Sequence, residues 1–441
     1  MDKTLFIFIF NNSILRKEIF KKVRYINRDI LKYNSYKWNV IKNKPSYLAA
    51  YDYFDLLKER YKKMTSKMTW YERIVGSADL DSFISSVLLV LIKYGHLHTV
   101  KYFIKKQKSF NDFMVHYLVK AVCHGRFEIV KYLVSLTKPT FTHTFMLGYA
   151  PLGLNFDLLV WLVENKLARL IANGSINKYI YISMRNATVV GRLDMLQYLV
   201  NNTKTRLDTK DHLFLENAVS SGNVKMVKWL LEQGFSFRES EYYIDTAAAK
   251  SHLDLVKYLH QHKYGRSRGH LLDIAARSDN LELLQWIHEN RTNEITTCDA
   301  IDKAAANADL HVVQWLYENR SEGCSTLAID KASSVSLTVV KWLFENQSAK
   351  CTPRAMENAL AARHADIMEW LFINIPEKCN RQLFTTGTLS KLIEENIENN
   401  ETLIFLLEHR HQLITTEVNL KQLLEYSKFY NNSIAIIKSF K

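Results

Sequence analysis

The segment GRFEIVKYLV at 125–134 returns, with substitutions, along three-quarters of the chain. Registering the copies on their shared aromatic gives Tyr102, Tyr132, Trp161, Tyr198, Trp229, Tyr258, Trp286, Trp315, Trp342 and Trp370, at intervals of 30, 29, 37, 31, 29, 28, 29, 27 and 28 residues. Internal periods of about 20–50 residues mark stacked supersecondary units, none of which can bury its apolar face alone. Such a chain folds as an array that grows by addition, and its 441 residues need not divide into separate globular cores.

Each unit has two halves. The second reads Gly-x-Leu-x-x-Val-Lys-aromatic-Leu, as in Gly191, Leu193, Leu196, Tyr198 and Leu199. Spacings of three and four put these apolar residues on one stripe of a helix of about three turns. The first half ends on a small residue four places before the glycine position: Ala121, Ala187, Ala218, Ala247, Ala275, Ala304 and Ala359. A side chain that small lets two helix backbones approach closely. The glycine position itself is a turn, kept as Gly95, Gly125, Gly191 and Gly222 and replaced by Ser251, Asp279 and Ala308. Glycine, serine and aspartate all favour a helix break or cap, so the turn is expected to survive these replacements.

Helix, tight turn, helix and linking loop, with signatures such as GHLHTVKYFI at 95–104, IDTAAAKSHLDLV and IDKAAANADLHVV, resemble the ankyrin repeat over about residues 85–375. The copies depart from that family in length, most being 27–31 residues apart, and none has the Thr-Pro-Leu-His opening of its first helix. The resemblance implies an all-α, ankyrin-like helix-turn-helix solenoid with helical caps, shortened loops, and recognition of protein partners on its concave face without chemistry. Residues 1–75 are expected to form a basic helical cap or adaptor region, 76–375 the array of about ten copies, and 376–441 a degenerate repeat, TLIFLLEH at 402–409, with a C-terminal cap. In the third copy, Ala150 followed by Pro151 should end the first helix, and the 37-residue interval after it predicts a longer loop around 166–178.

The formal charge of +14 is unevenly placed: residues 1–140 carry 26 Lys and Arg against 11 Asp and Glu, and the rest 33 against 34. Leu15, Ile19, Val23, Ile26 and Ile30 fall at helical spacing, with Arg16, Lys17, Lys21, Lys22, Arg24 and Arg28 away from that line. This basic face either keeps an end cap soluble or meets nucleic acid or an anionic membrane. A third reading comes from LRKEIFKKV at 15–23, which resembles part of an F-box-type helix without its Leu-Pro opening and implies a substrate adaptor of a ubiquitin ligase.

Five cysteines, an odd and sparse count, argue against a disulfide framework and fit a reducing compartment. Cys324, Cys351 and Cys379 follow the repeat interval, but helices packed about 8–10 Å apart cannot bring equivalent thiolates to one zinc. The histidine pairs His96/His98, His260/His262 and His409/His411 turn to different helix faces and lack a third ligand. No Gly-rich phosphate loop, nucleophile elbow, His-Glu-x-x-His or Cys-x-x-Cys occurs, so no enzyme, cofactor or metal is expected. The repeated aromatics could stack nucleobases, but their place beside the apolar stripe favours packing. A monomeric, intracellular, cytoplasmic protein is expected, with the nucleus left open and its protein partners unidentified.

Overall fold

In the computed structural model, the described residues run from 45 to 439, leaving out 69–77, 108–109, 137–143, 165–174, 204, 240, 265, 279, 293, 348–349, 376–383, 395–400, 415–421, 424–426 and 428–432. Among them the secondary structure is helical, with a lone β-bridge between Phe384 and Ile414. Two compact units divide at Asp208/Thr209. The basic candidates Arg16, Lys17, Lys21, Lys22, Arg24 and Arg28 lie outside the described residues.

The first unit stacks the helix pairs Ala78–Tyr94/Leu97–Ile104, Phe110–Cys123/Phe127–Ser135, Thr144–Tyr149/Phe156–Glu164 and Ser175–Val189/Leu193–Asn202. The second stacks Leu213–Ser221/Val224–Glu232, Tyr243–Ala249/Leu253–Gln261, Leu271–Ala275/Leu281–Asn290, Asp299–Ala306/Leu310–Asn319, Thr326–Ala332/Leu337–Gln347 and Arg354–Ala362/Ala365–Asn374. Every second helix buries the same three positions around its aromatic, for example Leu283, Leu284 and Ile287 around Trp286, or Val312, Val313 and Leu316 around Trp315. On the first helices the expected alanines carry the close approach: Ala121, Ala187, Ala218, Ala247, Ala304 and Ala359 have no exposed surface. In the third copy the first helix stops at Tyr149 and Pro151 sits in a 3-10 turn over Ala150–Gly153, as a residue without an amide donor requires.

The turn does more than survive substitution. It keeps a left-handed backbone at Ser251 (φ 61°), Ala308 (63°) and Arg363 (65°), as at Gly191 and Gly222. The left-handed region costs a residue with a Cβ about 1–2 kcal/mol. Ala308→Gly should therefore stabilise the chain by about 0.5–1 kcal/mol, once glycine's larger unfolded-state entropy is deducted, read as a higher denaturant midpoint at unchanged slope.

The polar residue after the turn ties consecutive repeats together. Asn155 accepts the Leu158 amide at 2.9 Å, capping its own helix, and donates Nδ2–H to the Gly125 carbonyl at 3.0 Å. Asn280 does the same with Leu283 (2.9 Å) and Ser251 (3.5 Å). Arg126 Nε donates to Lys93 O (2.9 Å) and His252 Nε2 to Ser220 O (3.0 Å). Asn155 and Asn280 thus each satisfy an orphan amide at a helix start and add a second bond to a turn carbonyl one repeat back, while Arg126 and His252 supply the carbonyl bond alone. At the other helix end, Asn202, Asn290, Asn319, Asn346 and Asn374 donate to the carbonyl of the aromatic four residues earlier at 2.8–2.9 Å.

Residues 45–66, expected within the N-terminal cap region, adopt the repeat's own geometry. Pro45–Ala50 and Phe54–Ser66 are joined through Asp52 in the left-handed region (φ 54°). His96 Nε2 donates to Ala50 O at 3.0 Å, the same turn-to-turn tie as above, and Thr99 Oγ1 donates to Asp52 Oδ1 at 2.7 Å. At the other end, Thr386–Glu394 packs on Glu401–Glu408, which also packs on Ala365–Asn374.

Candidate functional site

The ten signature aromatics are half-buried, one residue off the fully buried stripe, and nine of them meet a ring or a lysine from an adjoining repeat. In the second unit the ring two residues beyond one signature aromatic stands edge-to-face on the next: His260 on Trp286, His288 on Trp315, Tyr317 on Trp342 and Phe344 on Trp370, at 5.2–5.3 Å and 84–87°. Phe372 on Phe405 continues the series at 5.9 Å and 88°, placing TLIFLLEH in register as one more step. In the first unit the partner comes from the start of the preceding second helix: Phe54 on Tyr102, Phe127 on Trp161 and Phe156 on Tyr198. At Tyr132 and Tyr258 a lysine from the previous repeat takes that place, Lys101 and Lys228 at 5.2 and 5.1 Å. Trp229 is half-buried on Val224–Glu232. Each edge-to-face pair is worth about 0.5–1.5 kcal/mol beyond its buried area. Where such a pair forms, the ring is engaged by a neighbour and does not offer itself to a nucleobase.

A second ladder carries the joints between first helices, and sequence reasoning missed it. Asp273 accepts the Thr297 amide (3.0 Å) and hydroxyl (2.7 Å), and Asp330 accepts the Thr352 amide (2.8 Å) and hydroxyl (2.6 Å). Asp302 accepts the Ser325 amide at 2.9 Å and its hydroxyl. All three aspartates are 2–3% exposed. The fourth joint is incomplete. Asp245, 7% exposed, accepts the Arg268 amide at 3.2 Å, but arginine stands where the other joints have a hydroxyl, and Oδ1 is buried with no hydrogen-bond partner. Burial raises its carboxyl above the ordinary aspartate range, against the Arg268 amide bond and the nearby Ser267 hydroxyl, which itself donates to Glu294 at 3.3 Å, and with help from Glu294.

The remaining titratable groups are engaged in structure. Cys298, Asp299 and Asp302 could bring ligand atoms within 4.8 Å of one another, yet both Asp302 oxygens already receive Ser325. Burial pushes the Cys324 thiol up to about 11 and raises Cys298 and Cys123, the reverse of a reactive thiolate. His262 bonds the Tyr258 carbonyl, and His409 stacks on Phe372 at 4.3 Å, burial lowering its pKa. Among the described residues no helix is long and apolar enough to cross a membrane.

What the second unit presents to solvent is the outer side of its first helices. From Tyr243–Ala249 to Thr326–Ala332, each packs against its own second helix and against the first helices before and after it, which leaves one side uncovered. At the position preceding the conserved-register alanine, that side carries Thr246, Ile274, Lys303 and Lys331. The framework residues recur while this position passes from Thr to Ile to Lys, which is how a rigid frame displays a changeable surface.

Over residues 272–317 the chain matches the family model for ankyrin repeats (many copies). That span holds two successive helix pairs with the Asp273 and Asp302 joints and the Trp286–His288–Trp315 steps. No curated protein matches the chain. The two helix pairs of that span thus match ankyrin repeats, a family that generally serves protein–protein interaction without catalysis.

Proposed function

We propose that this chain is a non-catalytic, intracellular scaffold whose ankyrin repeats hold polypeptide partners on the exposed side of their first helices. The observation that carries this reading is the change from Thr246 to Ile274 to Lys303 to Lys331 at one surface position, within a frame whose buried residues and joints recur. Affinity then comes from a surface already ordered before the partner arrives, which lowers the entropy cost of binding. The test is affinity capture from cell lysate with the full chain and with Thr246→Glu/Ile274→Glu, each checked for unchanged thermal unfolding. Partners retained at high salt by the full chain and lost by the variant support the assignment; an identical set from both removes it.

A second reading keeps the basic N-terminal third as a contact for nucleic acid or anionic membrane. It is favoured by lysines standing over aromatic rings on the first unit: Lys58 and Lys106 over Tyr102, Lys131 over Phe127. It predicts binding that weakens steeply with salt, by a log–log slope of about one per phosphate neutralised.

A further inference from the structure

We infer that the first-helix side of the second unit takes an acidic polypeptide segment, a partner class that rests on the scaffold reading above. Two guanidinium groups are set over one ring in the loops that lead into the first helices. Arg266 and Arg268 lie 5.5 and 4.9 Å from the centre of Tyr242, and all but Tyr242, which is half-buried, are exposed. Both arginines are held from behind. Arg266 Nη1 donates to the Glu239 carbonyl at 2.8 Å, and the Arg268 amide is the one bonded to Asp245. A guanidinium fixed on an aromatic face keeps most of its donors for a planar oxyanion and loses little freedom on binding one.

Basic residues continue along the stack, beside the exposed Asp299 and Glu357 of the same row of helices. Thr297 and Ser325 occupy the joint position of Arg268 in the next repeats, and the helices they lead into carry Lys303 and Lys331. Lys303 shares its ammonium with Asp299 at 3.2 Å, an exposed pair that a partner carboxylate can replace at small cost. The second helices carry more acid than base outward, Asp254, Glu282, Glu318, Glu345, Asp366 and Glu369 against Lys225, Lys228, Lys257 and Lys341. An acidic chain therefore meets the paired guanidinium groups and Lys303 and Lys331 on one side of the unit and an excess of carboxylates on the other. Packed helices repeat about every 8–10 Å, and three residues of extended chain cover about 10 Å, so a carboxylate at every third position meets one repeat each. Arg266 also rims an open cavity of about 560 Å³ lined by Phe235, Phe237 and Tyr264, room for one apolar side chain of the same segment. A single-stranded nucleic acid would bring the same charge but needs ring faces to stack on, and those of this unit are largely engaged by their neighbours.

The experiment is fluorescence anisotropy on the full chain with a labelled dodecapeptide bearing Glu at every third position and one Leu, its Glu→Gln counterpart, and an oligouridylate of equal length. The protein variants are Arg266→Glu/Arg268→Glu, Lys303→Glu/Lys331→Glu and, as a control of equal charge change, Lys228→Glu/Lys257→Glu on second helices. Expected are binding of the Glu peptide in preference to the other two probes, a loss of about tenfold or more in each first-helix-side variant, and a change under about twofold in the control. Equal losses in all three variants, tighter binding of the oligouridylate, or no binding of the Glu peptide would overturn the acidic-segment assignment. Lysate partners still lost through Thr246→Glu/Ile274→Glu in that case leave the scaffold reading standing, so the two can fail separately.

Discussion

Asp330→Ala should destabilise the protein by about 2–3 kcal/mol, and Asp245→Asn should stabilise it by about 1 kcal/mol, although both remove a buried aspartate from the same place in the repeat. At Asp330 the carboxylate accepts an amide at 2.8 Å and a hydroxyl at 2.6 Å from Thr352, so its loss strips two donors of a charged acceptor. At Asp245 one oxygen has a 3.2 Å bond and the other none, and Glu294 lies close enough to oppose its charge. Asparagine keeps an acceptor for the Arg268 amide and discards the buried charge. Hydrogen exchange resolved by repeat is the suitable readout, because an array opens locally and a global midpoint would average over units. Protection should fall around 326–362 in the first variant and rise around 243–275 in the second. A fall in both would mean that the Asp245 joint is as well satisfied as its siblings.

The same contrast fixes a pH dependence. Burial holds the Asp245 carboxyl above its ordinary range, so the folded chain binds that proton more tightly than the unfolded chain. Between the ordinary aspartate range and the raised folded value the native state carries more protons, and stability falls as pH rises through that window. Above it, the cost of the buried charge is present in full. The groups that act on this site are Glu294 with its partner Arg291 (2.7 Å), Ser267 and Arg268. Asp302 is raised by burial in the same direction, despite the two bonds from Ser325. Asp245→Asn should therefore flatten the slope of stability against pH above the aspartate range, leaving the residue of that slope to Asp302.

The apolar frame was legible because burial and spacing are the same information: Leu283, Leu284 and Ile287 must sit three and four apart to share a stripe, and they do. The aspartate joints were not, since an acidic residue on a short helix reads as a solvated one and its partner lies 22–24 residues away. The available signal was the coincidence of Asp273 with Thr297, Asp302 with Ser325 and Asp330 with Thr352, each aspartate two places before an alanine. The ring partners were written plainly as Trp286-x-His288, Trp315-x-Tyr317, Trp342-x-Phe344 and Trp370-x-Phe372, but a single aromatic per copy was enough to set the register and drew the eye from the second. Residues 45–66 escaped the register for one reason: Glu59 stands where every other copy has its aromatic, seven places after the turn residue. Leu57, the buried position two before it, is present and has no exposed surface.

Gly125→Ala is expected to be among the most damaging single changes available, at about 2–5 kcal/mol. Its φ of 63° charges any Cβ the left-handed penalty, but that term alone is the smaller part. A Cβ built at 125 would lie 2.2 Å from the Gly153 carbonyl oxygen, a contact with backbone that no rotamer relieves. The approach is reciprocal, since a Cβ at Gly153 would meet Val122 O at 2.3 Å and the Gly125 amide at 2.5 Å. Two glycines, one in the turn of the second copy and one in the 3-10 turn that Pro151 imposes on the third, let these backbones touch. The same turn allows Asn155 to reach the Gly125 carbonyl, so separating the chains also breaks a repeat-to-repeat tie. Gly95→Ala is the control that separates the two causes. It occupies the same turn at φ 90°, yet its Cβ would meet only the flexible Arg126 side chain at 3.2 Å. It should cost about 1 kcal/mol, the conformational penalty by itself. A denaturant titration that gave the two variants equal midpoints would show that the third copy can shift away from the second without loss.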